Sequence, residues 1–194
     1  MRTGLIALGL ACALSACAGA PLANGPEAPL GRGLELRLPP KPGYPGAYTG
    51  VQTVVGEYGG RRAAFEAVLE LSPDVASIAL TTVGGPRILS VRWSSAGIVE
   101  DRTPLAPPEL KGISVLADIF LSLWPVEAVQ AAAPAGVEIT EAGALRRVAA
   151  AGRTIVEVET LQRSDASMRQ ELRHSDFGYT LRITTEPATR GPAP

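Results

Sequence analysis

Residues 59–86 read GGRRAAFEAVLELSPDVASIALTTVGGP, and their punctuation decides the fold. Between Gly59-Gly60 and Ser72-Pro73-Asp74, the residues Phe65, Ala67, Leu69 and Leu71 alternate with Ala64, Glu66, Val68 and Glu70. A period of two places the first set on one face of a β-strand and the second on the other. Working outward, the chain from Tyr48 to Arg102 repeats this design. Its turns fall at Gly59-Gly60, Ser72-Pro73-Asp74, Gly84-Gly85-Pro86 and Ser94-Ser95-Ala96-Gly97, a spacing that predicts an antiparallel meander. One face is apolar and the other mixed, so one should pack and the other should meet water.

Upstream, Leu34, Leu36 and Leu38 alternate with Glu35 and Arg37, which predicts a first strand ended by the proline-rich run 39–45. Downstream the period changes. Across 110–123 the polar positions Lys111, Ser114, Asp118 and Ser122 recur every three or four residues, forming one stripe on a helix that is otherwise apolar. Asp118 is the carboxylate most exposed to partial burial, and Ser114 and Ser122, a turn away on either side, make a satisfied surface stripe its expected setting. Trp124-Pro125 ends this helix, because proline lacks the amide hydrogen and clashes with the preceding turn. A second short helix is expected over 126–133. Alternation then returns over 137–141, 145–149, 154–161, 168–174 and 177–185. With Ser175-Asp176 as a two-residue loop, His174 would face Phe177 and Gln170 would face Leu181.

The whole chain has 194 residues, 46% hydrophobic and 19% charged, with a net charge of −1 and a mean hydropathy of +0.16. That is room for one domain with a core. It excludes a strongly basic nucleic-acid binder, which needs clustered positive charge. Two cysteines and one histidine are too few for a structural zinc site, and no cofactor is expected.

The cysteines, Cys12 and Cys17, sit in an N-terminal address. Met1-Arg2-Thr3 precedes the apolar run 4–14, which has signal-peptide length and is too short to span a bilayer. Leu14-Ser15-Ala16-Cys17 follows and resembles a bacterial lipobox, in which the cysteine becomes the acylated first residue of the mature protein. An ordinary signal cut near Ala18-Gly19-Ala20 is the alternative. The lipobox reading gives a signal peptide over 1–16, lipid attachment (palmitate-type acylation) at Cys17, a flexible tether over 17–32, one domain over 33–186 and a disordered tail over 187–194. Two or more acyl chains anchor a protein stably, and Ala18 lacks the acidic character of an inner-membrane retention signal. The expected location is therefore the periplasmic face of the outer membrane.

The segment Asp118-Ile119-Phe120-Leu121-Ser122-Leu123-Trp124-Pro125 and the closing Gly178-Tyr179-Thr180-Leu181-Arg182-Ile183 resemble a family of small, uncharacterised proteobacterial lipoproteins. That family carries a domain of unknown function and is often encoded beside aryl polyene or fatty-acid-type synthase genes. More distantly, the order of elements is similar to the periplasmic lipoprotein carrier and its outer-membrane receptor. The resemblance implies a mainly β, α+β fold: an antiparallel sheet curved into an incomplete barrel and covered by a short helical pair. It also implies a non-enzymatic role in binding or handing over a hydrophobic, lipid-like molecule such as an acyl or polyene chain. Leu116, Phe120, Leu123, Trp124 and Trp93 are the expected lining of that site. An envelope assembly or interaction protein is the alternative, with its protein partner left open, and an acyl hydrolase is the remote one. His174-Ser175-Asp176 is no triad, because neighbours on a strand point to opposite faces and do not converge. Arg61-Arg62 and Arg146-Arg147 are expected as solvated strand ends.

Overall fold

The structure, a computed structural model, describes residues 25–187. Its elements are β1 (Glu27–Gly31), β2 (Leu34–Arg37), β3 (Tyr48–Tyr58), β4 (Arg61–Leu71), β5 (Val75–Thr82), β6 (Arg87–Ser94), β7 (Gly97–Arg102), α1 (Gly112–Leu123), α2 (Val126–Ala132), β8 (Val137–Ala142), β9 (Leu145–Ala150), β10 (Arg153–Arg163), β11 (Met168–His174) and β12 (Tyr179–Pro187). The signal, Cys17 and the tail beyond Pro187 lie outside the described residues.

Ten strands form one antiparallel sheet in the order β7-β6-β5-β4-β3-β12-β11-β10-β9-β8, while β1 and β2 pair only with each other. The chain thus winds outward from β3 to one end, crosses through the two helices to the other end, and returns until β12 lies beside β3. Each outward step follows a turn marked in the sequence. Gly59 and Gly60 have φ of 55° and 76°, the left-handed pair that a two-residue hairpin turn requires, and they set Tyr58 opposite Arg61.

The apolar face is the packed one. Ala67, Leu69 and Leu71 on β4 align with Leu80, Ile78 and Ala76 on β5, and those with Leu89, Val91 and Trp93 on β6, all buried. On the far half, Leu172, Val158 and Val148 continue the same layer. The other face carries a lattice of ion pairs, including Arg182 with Glu57 and Glu171 and Arg147 with Glu157. Trp124, just beyond α1, touches both halves: its ring lies 6.0 Å from that of Trp93 on β6, and its carbonyl accepts a 2.7 Å hydrogen bond from Arg146 on β9.

Three expectations are corrected. The tether does not run to Arg32, because Glu27–Gly31 form β1, with Ala28 and Leu30 buried and the turn closed at Gly33, φ 73°. Two inward side chains in an Ala-Gly-Pro-rich stretch are too faint a period to read. The last hairpin has a four-residue loop, so His174 faces Tyr179 and Gln170 faces Ile183. Gly178 at φ 70° lets its amide close back on the His174 carbonyl at 2.8 Å. The slip is two residues, and an even slip leaves every side chain on its expected face. The first helix begins at Gly112, not Leu110; its first amide donates to the Glu100 carboxylate of β7 at 2.9 Å, since Lys111 supplies no side-chain cap.

Candidate functional site

The residues expected to line a ligand site lie together at the Trp93 end of the packed face. Trp93, Phe120 and Trp124 are fully buried, with ring centroids 5.1–6.1 Å apart, and Tyr44 meets Trp124 edge-on at 4.9 Å. Leu116 is buried in the same core and Leu123 is half-buried beside it. The Trp124 indole donates to the Pro42 carbonyl at 2.8 Å, while the Trp93 indole nitrogen is buried without a partner among the described residues. These side chains touch one another, so this end of the interior is filled by the protein itself.

Arg146 is not a solvated strand end. Its side chain is 11% exposed, and its guanidinium donates to the carbonyls of Leu121 and Trp124 at 2.7 Å each while pairing with Glu141. It satisfies carbonyls that the end of α1 leaves free and places a cation at the negative end of the helix dipole.

Asp118 does not sit in a solvated stripe either. Both of its carboxylate oxygens receive the Tyr179 hydroxyl, at 2.8 and 3.0 Å, which joins α1 to the start of β12. Burial pushes the carboxyl up to about 7, opposed by the Tyr179 hydrogen bond. The Tyr179 hydroxyl is raised in turn, by burial first and by the adjacent carboxylate second. The His174 ring stacks on Phe177 at 4.2 Å and meets Tyr179 at a tilt, 5.0 Å away. Its Nδ1 accepts from the Phe177 amide at 3.4 Å. Burial lowers His174 to about 4, against the pull of the Asp176 carboxylate and the Leu30 carbonyl. Asp176 receives Arg153 and the Arg32 amide, and these hold its carboxyl down at about 2. The turn of β1–β2 is thereby pinned to the β11–β12 loop. The loop does not converge on a nucleophile: Ser175 is exposed.

The sequence reading passed over a set of polar residues at inward positions. Gln52, Thr185 and Gln170 are buried on the packed face of β3, β12 and β11, beside half-buried Val54, Phe65, Leu181 and Thr160. Their signal was parity: each occupies a strand position that alternation assigns to the core. On the opposite face, an open hollow of about 310 Å³ has Ala79, Ser77 and Ser90 as its floor and Val68 and Val99 at its sides.

The family model described as Protein of unknown function (DUF3261) matches residues 49–187. No curated protein matches the chain.

Proposed function

The chain belongs to that family of proteins of unknown function, DUF3261, and from this premise we propose that it is an outer-membrane-anchored lipoprotein that binds or hands over a hydrophobic, lipid-like molecule inside an incomplete barrel. The observation that carries the reading is the position of Trp124. It contacts β6 and β9, which are seven strand spacings apart in the sheet order, or roughly 33 Å if the sheet were flat. One residue reaches both only if the packed face is concave.

The concave face is apolar beyond the part that its own helix and aromatic cluster fill. Val54, Phe65 and Leu181 remain half-exposed on the three adjoining strands β4, β3 and β12, a strip suited to an acyl or polyene chain. Trp93, Phe120, Trp124, Leu116 and Leu123 form the wall at the end of that strip. The proposed role is one of binding without catalysis, with His174, the single histidine, buried against Phe177 and Tyr179.

Uptake of a fluorescent long-chain fatty acid by the form lacking residues 1–17 tests this. Saturable binding is expected, weakened about tenfold in Phe65→Ala, a loss of ~1.4 kcal/mol; absence of saturable uptake overturns the reading. The hollow on the outer face favours a second reading, an envelope assembly protein whose partner seats against Val68 and Val99. A partner that co-purifies in stoichiometric amount and is lost in Val68→Glu would select it.

A further inference from the structure

Along the strands that carry the half-exposed strip runs a line of polar side chains. Tyr48 and Gln52 on β3, Thr185 on β12, Gln170 on β11 and Thr160 on β10 all occupy inward positions. The Gln52 amide donates to the Thr185 hydroxyl at 3.2 Å and the Gln170 amide to the Thr160 hydroxyl at 3.4 Å. Gln52 and Gln170 are each 4% exposed and Thr185 is 3% exposed. Among the described residues the Gln170 side-chain oxygen is buried without a hydrogen-bond partner, and the buried Tyr48 hydroxyl, near the Thr185 side chain, makes no hydrogen bond of good geometry. The latter folds back over Gly50, where an added Cβ would lie 2.5 Å from the hydroxyl oxygen, so a glycine is required for it to lie there.

Buried polar atoms in native proteins are nearly always paired, because each orphan carries an uncompensated desolvation cost of about 1–3 kcal/mol. An orphaned oxygen and an ill-paired hydroxyl on one line, at the edge of an apolar strip, mark a place where a partner belongs. The Gln170 oxygen accepts only, and the Tyr48 hydroxyl both donates and accepts. The line carries no charged side chain, and burying an ionised carboxylate or phosphate against it would cost far more than its hydrogen bonds return.

We propose that the Tyr48–Gln52–Thr185–Gln170–Thr160 line is the head-group seat of the lipid site, and that it selects an uncharged group able to donate a hydrogen bond, a hydroxyl or an amide. This rests on the lipid-binding reading above and specifies its ligand class. The alkyl chain lies along Val54, Phe65 and Leu181, and the head group gives a hydrogen to Gln170 and exchanges one with Tyr48. A head group would approach Gln170 from the side of Met168 and Thr160, its half-buried neighbours on the same face.

Native mass spectrometry of the membrane-anchored protein, extracted in detergent and incubated with hexadecanamide or methyl hexadecanoate, tests the seat. The probes share a chain length, but the ester cannot donate. Wild type should favour the amide roughly tenfold, the equivalent of one well-made buried hydrogen bond. Gln170→Met and Tyr48→Phe should each cut that preference below about threefold by weakening the amide more than the ester, with melting temperatures reporting that both variants fold. Equal binding of the two probes by wild type overturns this inference alone, as does a parallel loss of both probes in the variants or a preference that survives in both. Failure of both probes to bind at all overturns the lipid-binding reading beneath it.

Discussion

Asp118 and His174 face the same tyrosine and titrate in opposite senses. Asp118 has a folded pKa of about 7 against an ordinary 3.8, so the folded state holds a proton that the unfolded chain has lost. Its contribution is complete below pH 3.8 and is lost as pH rises through 7. His174 has a folded pKa of about 4 against 6.5, so here the unfolded chain binds the extra proton; its contribution is complete above 6.5 and is lost as pH falls through 4. Between pH 4 and 6.5 the two proton differences cancel, and Asp176, held at about 2, acts only below that window. Wild-type stability across it should therefore be nearly flat. Asp118→Asn should leave a stability that rises with pH, and His174→Gln one that falls, each by up to ~1.4 kcal/mol per pH unit. Urea titrations of the three proteins at pH 4.5 and 6.5 would show this, and flat responses in both variants would refute it. Of this cluster only half was legible in the sequence. That Asp118 is the carboxylate nearest burial follows from its place on an apolar helix. Its partner lies 61 residues away, and no local period reveals which strand a helix will meet. The inward glutamines were legible by parity, but a reading that weighs apolar residues alone passes over them.

Arg146 shows how one side chain sets the end of an element. Helix α1 has no basic residue in its last turn and stops at Trp124 because Pro125 follows, so its terminal carbonyls depend on a strand drawn from the other half of the sheet. Arg146→Ala removes two charge-assisted hydrogen bonds from largely buried carbonyls and strands Glu141. The expected loss is about 2–4 kcal/mol of unfolding free energy by urea denaturation. Arg146→Lys should recover less than half, since an ammonium cannot reproduce the guanidinium fork. A loss under 0.5 kcal/mol in Arg146→Ala would mean that the helix end is held by packing alone, given that exposed ion pairs contribute about that much. The strands themselves were readable because glycine and proline mark their ends and alternation marks their faces. What escaped was anything that alternation leaves degenerate. A two-residue slip in the β11–β12 loop preserves every face, and β1 offers only Ala28 and Leu30 as inward residues. Cross-chain anchors such as Arg146 escaped for a further reason: a lone arginine on a strand carries the same local signal whether it meets water or a helix end.

For the whole molecule the decisive quantity is curvature. The helices connect β7 to β8, the two ends of the ten-strand order, so the crossover must travel as far as those ends are apart. Nine spacings of about 4.8 Å would separate them by roughly 43 Å in a flat sheet. The intervening 103–136 segment includes two short helices that pack on the sheet's apolar face, and Trp124 within it touches strands from both halves. A flat sheet would leave that face open to water on one half or the other, while a curved one lets a single helical pair and the β1–β2 hairpin serve both. In the proposed incomplete barrel the half-exposed strip and its polar line would lie on the inside, where a lipid chain would be sheltered from water. Spin labels at Val99→Cys on β7 and Thr140→Cys on β8, both exposed positions, in a chain with Cys12 and Cys17 changed to Ser, measure this directly. An incomplete barrel predicts a distance distribution centred below roughly 25 Å, the scale of a small barrel's width. A distribution near 40 Å would flatten the sheet and leave no interior in which a lipid could be held.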